Sequence, residues 1–313
     1  MMASPAITRE TKSAKRRTAP ASRLMRRRQR AGLLFVLPSV VFVTCFFLLP
    51  LALTAWMSLN SWSIFGEIHF IGIKNYLDMA KDQVFLGSLL FTTKYTLIVC
   101  PLILLLGFVL ALLIQRPLRG VGFFRTAFFL PVVIGLGTAS FLWFWLYNDQ
   151  VGAIDGLLGY VHLIHTPIAW FNDANIALMA VVTMIVWKTS GFAMLLFLVG
   201  IQAIPAELYE AAQVDGAGFW TQLFSITLPL LRRTFALILV LIVTGSYLAF
   251  DHFYIMTHGN PANQTLTTVM RIIQAGFTNF QLGYAGALSI VLLVILLLIN
   301  VVQLFVMRGA PED

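Results

Sequence analysis

The chain has 313 residues, 59% of them hydrophobic and 11% charged. A soluble globular domain is nearer half apolar and a quarter charged, so this much apolar surface, in runs of about twenty residues, calls for lipid as solvent. Much of the formal net charge of +8 sits in the N-terminal segment; that placement argues for an anionic membrane surface and against nucleic acid.

Residues 1–31 form a basic cytoplasmic tail that includes Arg16, Arg17, Arg26, Arg27 and Arg28, with disorder and headgroup contact as the expected state. A basic start before an apolar run also resembles a signal peptide. Here the run is too long and lacks a small-residue cleavage site, so it reads as an uncleaved first span. Span 1 covers about Leu33 to Ser58, with Pro38 and Pro50 inside it, which membrane helices tolerate when neighbours repair the lost hydrogen bond. A polar loop runs from Asn60 to Gly87. Span 2, about Leu89 to Ile114, ends at the basic turn Gln115-Arg116-Pro117-Leu118-Arg119-Gly120. Span 3 covers about Phe124 to Tyr147. The loop 148–172 is rich in Gly, Asp and His, and a short interfacial helix is expected near Trp170. Span 4 covers about Ile176 to Ile201, span 5 Thr234 to Met256, and span 6 Tyr284 to Met307. The expected fold is all-α: a polytopic membrane protein of six transmembrane helices over residues 32–313.

Lys and Arg gather in the tail, the 115–125 turn, the 204–233 connection and the C-terminus. The opposite loops hold Lys74, Lys81 and Arg271, with Lys94 just inside span 2. The positive-inside rule therefore puts both termini in the cytoplasm, in agreement with an even number of spans. Cys45 and Cys100 lie within apolar runs, the histidines form no metalloprotease spacing, and no GxxxxGK[ST] phosphate loop occurs. The chain is expected to be no enzyme and to bind no nucleotide or metal by itself.

The connection Ile204–Pro229 is too ordered for an idle linker. Pro205 suits a first helical turn, Glu207 favours the positive end of the helix dipole, and Asp215-Gly216-Ala217-Gly218 stops the helix. A second short helix follows from Phe219 to Ser225, closed by Leu228-Pro229. Leu208, Ala211 and Ala212 share one face of the first helix, with Glu210 beside it. Such a helix either docks into a groove on another protein or rests on lipid headgroups.

Within the spans, Lys188 lies near the middle of span 4 beside Trp187. A charge at that depth costs at least about 2.5–3.5 kcal/mol, so it must face a polar cavity, a partner charge or helix carbonyls. Asp251 and His252 lie toward the external end of span 5, where Asp251 contacts substrate, pairs with a base or caps structure. Tyr147, Trp143, Trp145 and Trp187 offer aromatic faces that could take a ring-shaped solute, although most aromatics in such a chain serve the lipid belt or packing.

Glu210-Ala211-Ala212, then Gly216, then Ile226, Leu228 and Pro229 resemble, in type and spacing, the EAA loop of membrane permease subunits of ATP-binding-cassette (ABC) importers. Phe70-Ile71-Gly72-Ile73-Lys74-Asn75-Tyr76 and Phe123-Phe124-Arg125 with Leu130-Pro131 resemble elements of the carbohydrate-uptake branch. The turn Thr257-His258-Gly259-Asn260-Pro261 departs from the family's T-x-G-G-P by one Asn. The resemblance implies a type I importer permease for sugars, polyols or glycerol phosphates in the bacterial inner membrane. It also implies a second permease chain, two cytoplasmic ATPase subunits that hold the ATP and Mg, and an external solute-binding protein. The ATPase-coupling residues would be Leu208, Glu210, Ala211, Ala212, Asp215 and Gly216; Trp187, Lys188 and Asp251 would line the substrate pathway. The runner-up within transport is an importer of another polar solute. An ion-coupled transporter would instead require an inverted repeat, intramembrane carboxylates and broken helices; the chain shows no clear repeat and one well-placed carboxylate, Asp251.

Overall fold

The computed structural model describes residues 32, 34–63, 66–115 and 119–307. The basic tail, the Arg116-Pro117-Leu118 part of the basic turn and the last residues from 308 lie outside the described residues. The described residues fall into two compact units, divided between Leu53 and Thr54. The described part of the first is helical: α1 (Leu34–Ser58) begins there and contains a π-helical turn at Thr44–Leu48, next to the Phe42–Phe46 ring pair at 4.8 Å.

The second unit opens with a two-stranded antiparallel hairpin, β1 (Asn60–Ser61) against β2 (His69–Phe70), and a short helix α2 (Lys74–Met79). The element Phe70–Tyr76 acts here as a clamp. Asn75 Nδ2 donates to the carbonyls of Ser58 (2.8 Å) and Asn60 (3.1 Å), and the Tyr76 hydroxyl bonds Ser58 Oγ at 2.7 Å. One buried amide thus satisfies the last carbonyl of α1 and the first carbonyl of β1.

Two long helices carry the core: α3 (Gln83–Ile114) and α7 (Ala174–Gln202). Both start earlier than predicted because a carboxylate precedes each. Asp82 Oδ1 accepts the N–H groups of Val84 and Phe85, and Asp173 Oδ1 accepts those of Asn175 and Ile176. Tyr95, Val99, Ile103 and Ala111 of α3 are buried against Val181, Met184, Met194 and Phe197 of α7. At Gly107 a Cβ would meet the Ala193 Cβ at 2.6 Å, so the backbones approach through small residues, as membrane helices do.

Span 3 was expected as one helix and is two. α4 (Val121–Val133) and α5 (Leu136–Leu146) meet at a 97° bend, with Ile134 and Gly135 in extended conformation. Neither piece alone reaches across a hydrocarbon core of about 30 Å at 1.5 Å per residue. The helix in the following loop is α6 (Ala153–Tyr160), not one at Trp170; Trp170 lies in the loop and its indole N–H donates to Asp155 of α6 at 2.7 Å.

After α7 come α8 (Ala206–Val214) and α9 (Phe219–Leu230), then α10 (Arg232–Tyr247), which is bent 63° from α9. α9 runs past the predicted stop at Pro229. A π turn at Leu223–Thr227 precedes a short segment in which the proline takes a first-turn position, where its missing N–H costs nothing. Span 5 is likewise interrupted: α10 stops at Tyr247, and α11 (Asp251–Met256) follows as a separate helix. α12 (Thr268–Ile273), with a π turn at Gln274–Thr278, leads into α13 (Leu282–Met307). Among the described residues, four helices are long and apolar enough to cross a membrane, and there are six spans when each bent pair counts as one.

Candidate functional site

The hairpin α8–α9 hangs at the end where α7 finishes. Its closure is a backbone device. The Ala217 N–H donates to the Ala212 carbonyl (2.8 Å) and the Gly216 N–H to that of Gln213 (3.0 Å), the paired bonds of a Schellman stop. Gly216 sits at φ +79, where a side chain is strained, although nothing lies within 4 Å of an added Cβ. The glycine is needed for its backbone alone. The Tyr209 hydroxyl meets Thr227 Oγ1 at 3.0 Å and ties α8 to α9, and Gln222 Nε2 donates to the Ala217 carbonyl at 3.0 Å.

No residue of α8 is buried. Leu208, Glu210, Ala211, Asp215 and Gly216 are exposed and Ala212 is half-buried. Helical spacing puts Leu208, Ala211 and Ala212 on one side of α8, with Asp215 at its end, and Glu210 on the other. On α9, Phe219, Trp220 and Phe224 are also exposed, and the last two rings stack with centroids 6.1 Å apart.

The charges along the bundle have different surroundings. Lys188 Nζ donates to the carbonyls of Pro131 (3.2 Å), Val132 (3.4 Å) and Ile134. These are the carbonyls left open where α4 ends at its bend, and a cation suits the negative end of that helix. Three donors and three acceptors account for the lysine without a substrate. Arg125, on the same helix, donates to the last carbonyl of α3, that of Ile114, at 2.9 Å. Trp187 packs against Trp143 at 5.5 Å, which in turn meets Tyr147 at 5.6 Å. Asp251 is exposed at the start of α11 and, among the described residues, forms no ion pair with Lys188. Its neighbour His252 is buried, with Nε2 3.2 Å from the Tyr95 hydroxyl.

Sequence reading missed a clip at the end where α3 begins. Asp82 Oδ2 accepts from Arg271 Nη2 (2.7 Å), Arg271 Nε (3.3 Å) and the Tyr284 hydroxyl (2.7 Å), while Oδ1 caps α3. Burial works to raise the Asp82 pKa, but the hydrogen bonds from Arg271, Tyr284 and the Phe85 N–H outweigh it and hold the carboxyl below its ordinary value. An Asp directly before a long apolar run was a readable cap signal; its partners, some 190 residues on in sequence, were not. The clip borders an open cavity of about 410 Å³ that also takes in Ser61, Lys74, Asn75 and Gln281.

Comparison with known proteins agrees with this architecture. The chain is 35% identical over 285 residues to the probable ABC transporter permease protein YurN of Bacillus subtilis, covering 90% of this chain and 97% of that one. It is 34% identical over 279 residues to the sulfoquinovosyl glycerol transport system permease protein SmoG of Agrobacterium fabrum, covering 88% and 90%. It is 31% identical over 275 residues to the sn-glycerol-3-phosphate transport system permease protein UgpA of the same organism, covering 86% and 92%. In fold it is similar to a chain of the bacterial alginate ABC transporter solved with a pentasaccharide-bound periplasmic protein, with a TM-score of 0.80 over 91% of this chain and 97% of that one at 21% identity. Residues 103–309 match the family described as binding-protein-dependent transport system inner membrane component. The chain belongs to that family: it is a multi-pass inner-membrane permease component of an ABC importer, and not an enzyme.

Proposed function

We propose that the chain forms half of the translocation pathway of an importer for sugars, polyols or glycerol phosphates, and that α8 is its handle for the motor. Both termini face the cytoplasm. A second, distinct permease chain lies beside this one, two ATPase subunits bind below and hold ATP and Mg, and an external binding protein delivers the solute. The observation that carries this reading is the largely exposed α8, none of whose residues is buried, held in place by a backbone-closed turn. A helix with no buried residue contributes nothing to the core of its own chain, and its small residues admit a close partner. Closure of the ATPases pushes the hairpin, and the α9–α10 bend passes the motion to the spans as rigid-body rotation. Trp187 and Asp251 line the path; Lys188 shapes it by holding the broken end of α4. The substrate class is carried by the relatives that transport sulfoquinovosyl glycerol and glycerol phosphate.

The test is disulfide capture. A cysteine at Ala211, paired with cysteines scanned over the membrane-facing surface of the ATPase subunit, is expected to cross-link in the assembled complex and to do so differently with and without ATP. Absence of any cross-link, with uptake intact, would sink the reading.

A further inference from the structure

We infer that the mouth of the pathway, where the start of α7 lies beside Lys94 of α3, holds a subsite for an anionic carbohydrate derivative, with Lys94 reading its charge. This rests on the reading of the bundle as half of a sugar-type import pathway, and goes beyond it by choosing charged over neutral solutes.

A cavity of about 300 Å³ opens there, lined by Tyr147, Trp170, Asn175, Met179 and Thr183 among others. That volume is at the lower end of small-ligand sites. The Tyr147 and Trp170 ring centroids lie 4.7 Å apart at 49°. The Trp170 indole is held by the buried Asp155, whose other oxygen accepts the Ile168 N–H at 2.9 Å, so this wall is fixed before any ligand arrives. At the rim, Lys94 Nζ donates to Asn175 Oδ1 at 2.7 Å, and Lys94 is exposed.

The two lysines of the long helices differ in what is left over. Lys188 has three carbonyls for three donors. Among the described residues, Lys94 has one neutral amide oxygen as its partner and is exposed, so its charge and two of its donors remain available. Of the nearby carboxylates, Asp173 is engaged with two N–H groups of its own helix, and Asp149 lines a separate pocket of about 170 Å³ that shares the Tyr147–Trp170 pair. An aromatic wall, an amide and a hydroxyl suit a sugar ring of any charge. An ammonium beside them adds a charge-assisted bond only for a carboxylate, phosphate or sulfonate, and as a point charge it accepts all three geometries.

The test uses cells that express the complete importer with its own partner subunits, fed radiolabelled sn-glycerol 3-phosphate or galacturonate as anionic probes and trehalose as the neutral one. Lys94→Gln is expected to cut uptake of an anionic probe about tenfold or more, with Lys94→Arg restoring most of it. Trehalose uptake, if present, is expected to be unchanged, and immunoblots confirm equal assembly. Import of trehalose but of neither anion, or equal anion import in wild type and Lys94→Gln, overturns the anionic subsite and leaves the importer reading standing. Uptake independent of ATP would overturn the importer reading itself.

Discussion

The two ends of the second unit are built on opposite principles. Where α3 begins, Asp82 joins three helices through five hydrogen bonds, from Arg271, Tyr284 and the N–H groups of Val84 and Phe85. Where α7 finishes, the α8–α9 hairpin exposes its working side chains and is closed by backbone bonds, with Tyr209–Thr227 as its tie between helices. A fastened end resists relative motion of its helices. An end whose side chains are uncommitted presents them to another protein, and its rigidity comes from a turn that needs one glycine.

The sharpest way to break that contrast is at the glycine. Gly216→Leu forces a branched side chain into φ +79, a cost of about 1–2 kcal/mol confined to an exposed turn. Together with Glu210→Lys, it is expected to leave folding largely intact while uncoupling transport from ATP hydrolysis. Uptake and ATPase activity measured on the same preparation check this; normal uptake in both variants, at normal expression, counts against the coupling role.

Lys188→Met comes next. It leaves the carbonyls of Pro131, Val132 and Ile134 without their cation, at an expected loss of about 2–3 kcal/mol. A lower thermal midpoint of the purified complex is the readout. Full stability with lost uptake would instead make Lys188 a substrate contact.

At the fastened end, Asp82→Asn keeps a capping oxygen for α3 but removes the charge that pairs with Arg271, an expected loss of about 1–2 kcal/mol read as a lower thermal midpoint. The pH dependence sharpens it. Because the folded-state pKa is depressed, the stabilisation is complete above the unfolded value of about 3.9 and is lost as pH falls through the lower folded value. The difference in thermal midpoint between wild type and Asp82→Asn should therefore shrink only below about pH 4. A difference that already shrinks between neutrality and that point would remove Asp82 from the clip. Asn75→Ala, which leaves the buried carbonyls of Ser58 and Asn60 without their shared donor, is expected to cost about 1–2 kcal/mol, again read as a lower thermal midpoint.

What could be read from the residues was whatever depends on neighbours in sequence. Run length gave the spans, Pro205 and Gly216 gave the ends of α8, and the shared face of Leu208, Ala211 and Ala212 followed from helical spacing. The helix-start signals at Asp82 and Asp173 are equally local, and they place both helix starts ahead of the first apolar residue of each span. The resemblance of 204–229 to the EAA loop carried the family, which the match over residues 103–309 now shows.

The tertiary structure alone decided the rest. The residues on both sides of Ile134 are strongly apolar, so a hydropathy reading runs through the 97° break in span 3 as one span. Lys188 could be placed at an expensive depth, but its partners lie 54–57 residues earlier in the chain and are carbonyls, which every residue has. The same holds for Lys94 with Asn175 and for Asp82 with Arg271. Sequence fixes where a charge or a helix end must be, because local chemistry sets both. Which charge meets which open backbone group depends on how the helices pack, and no residue type announces that.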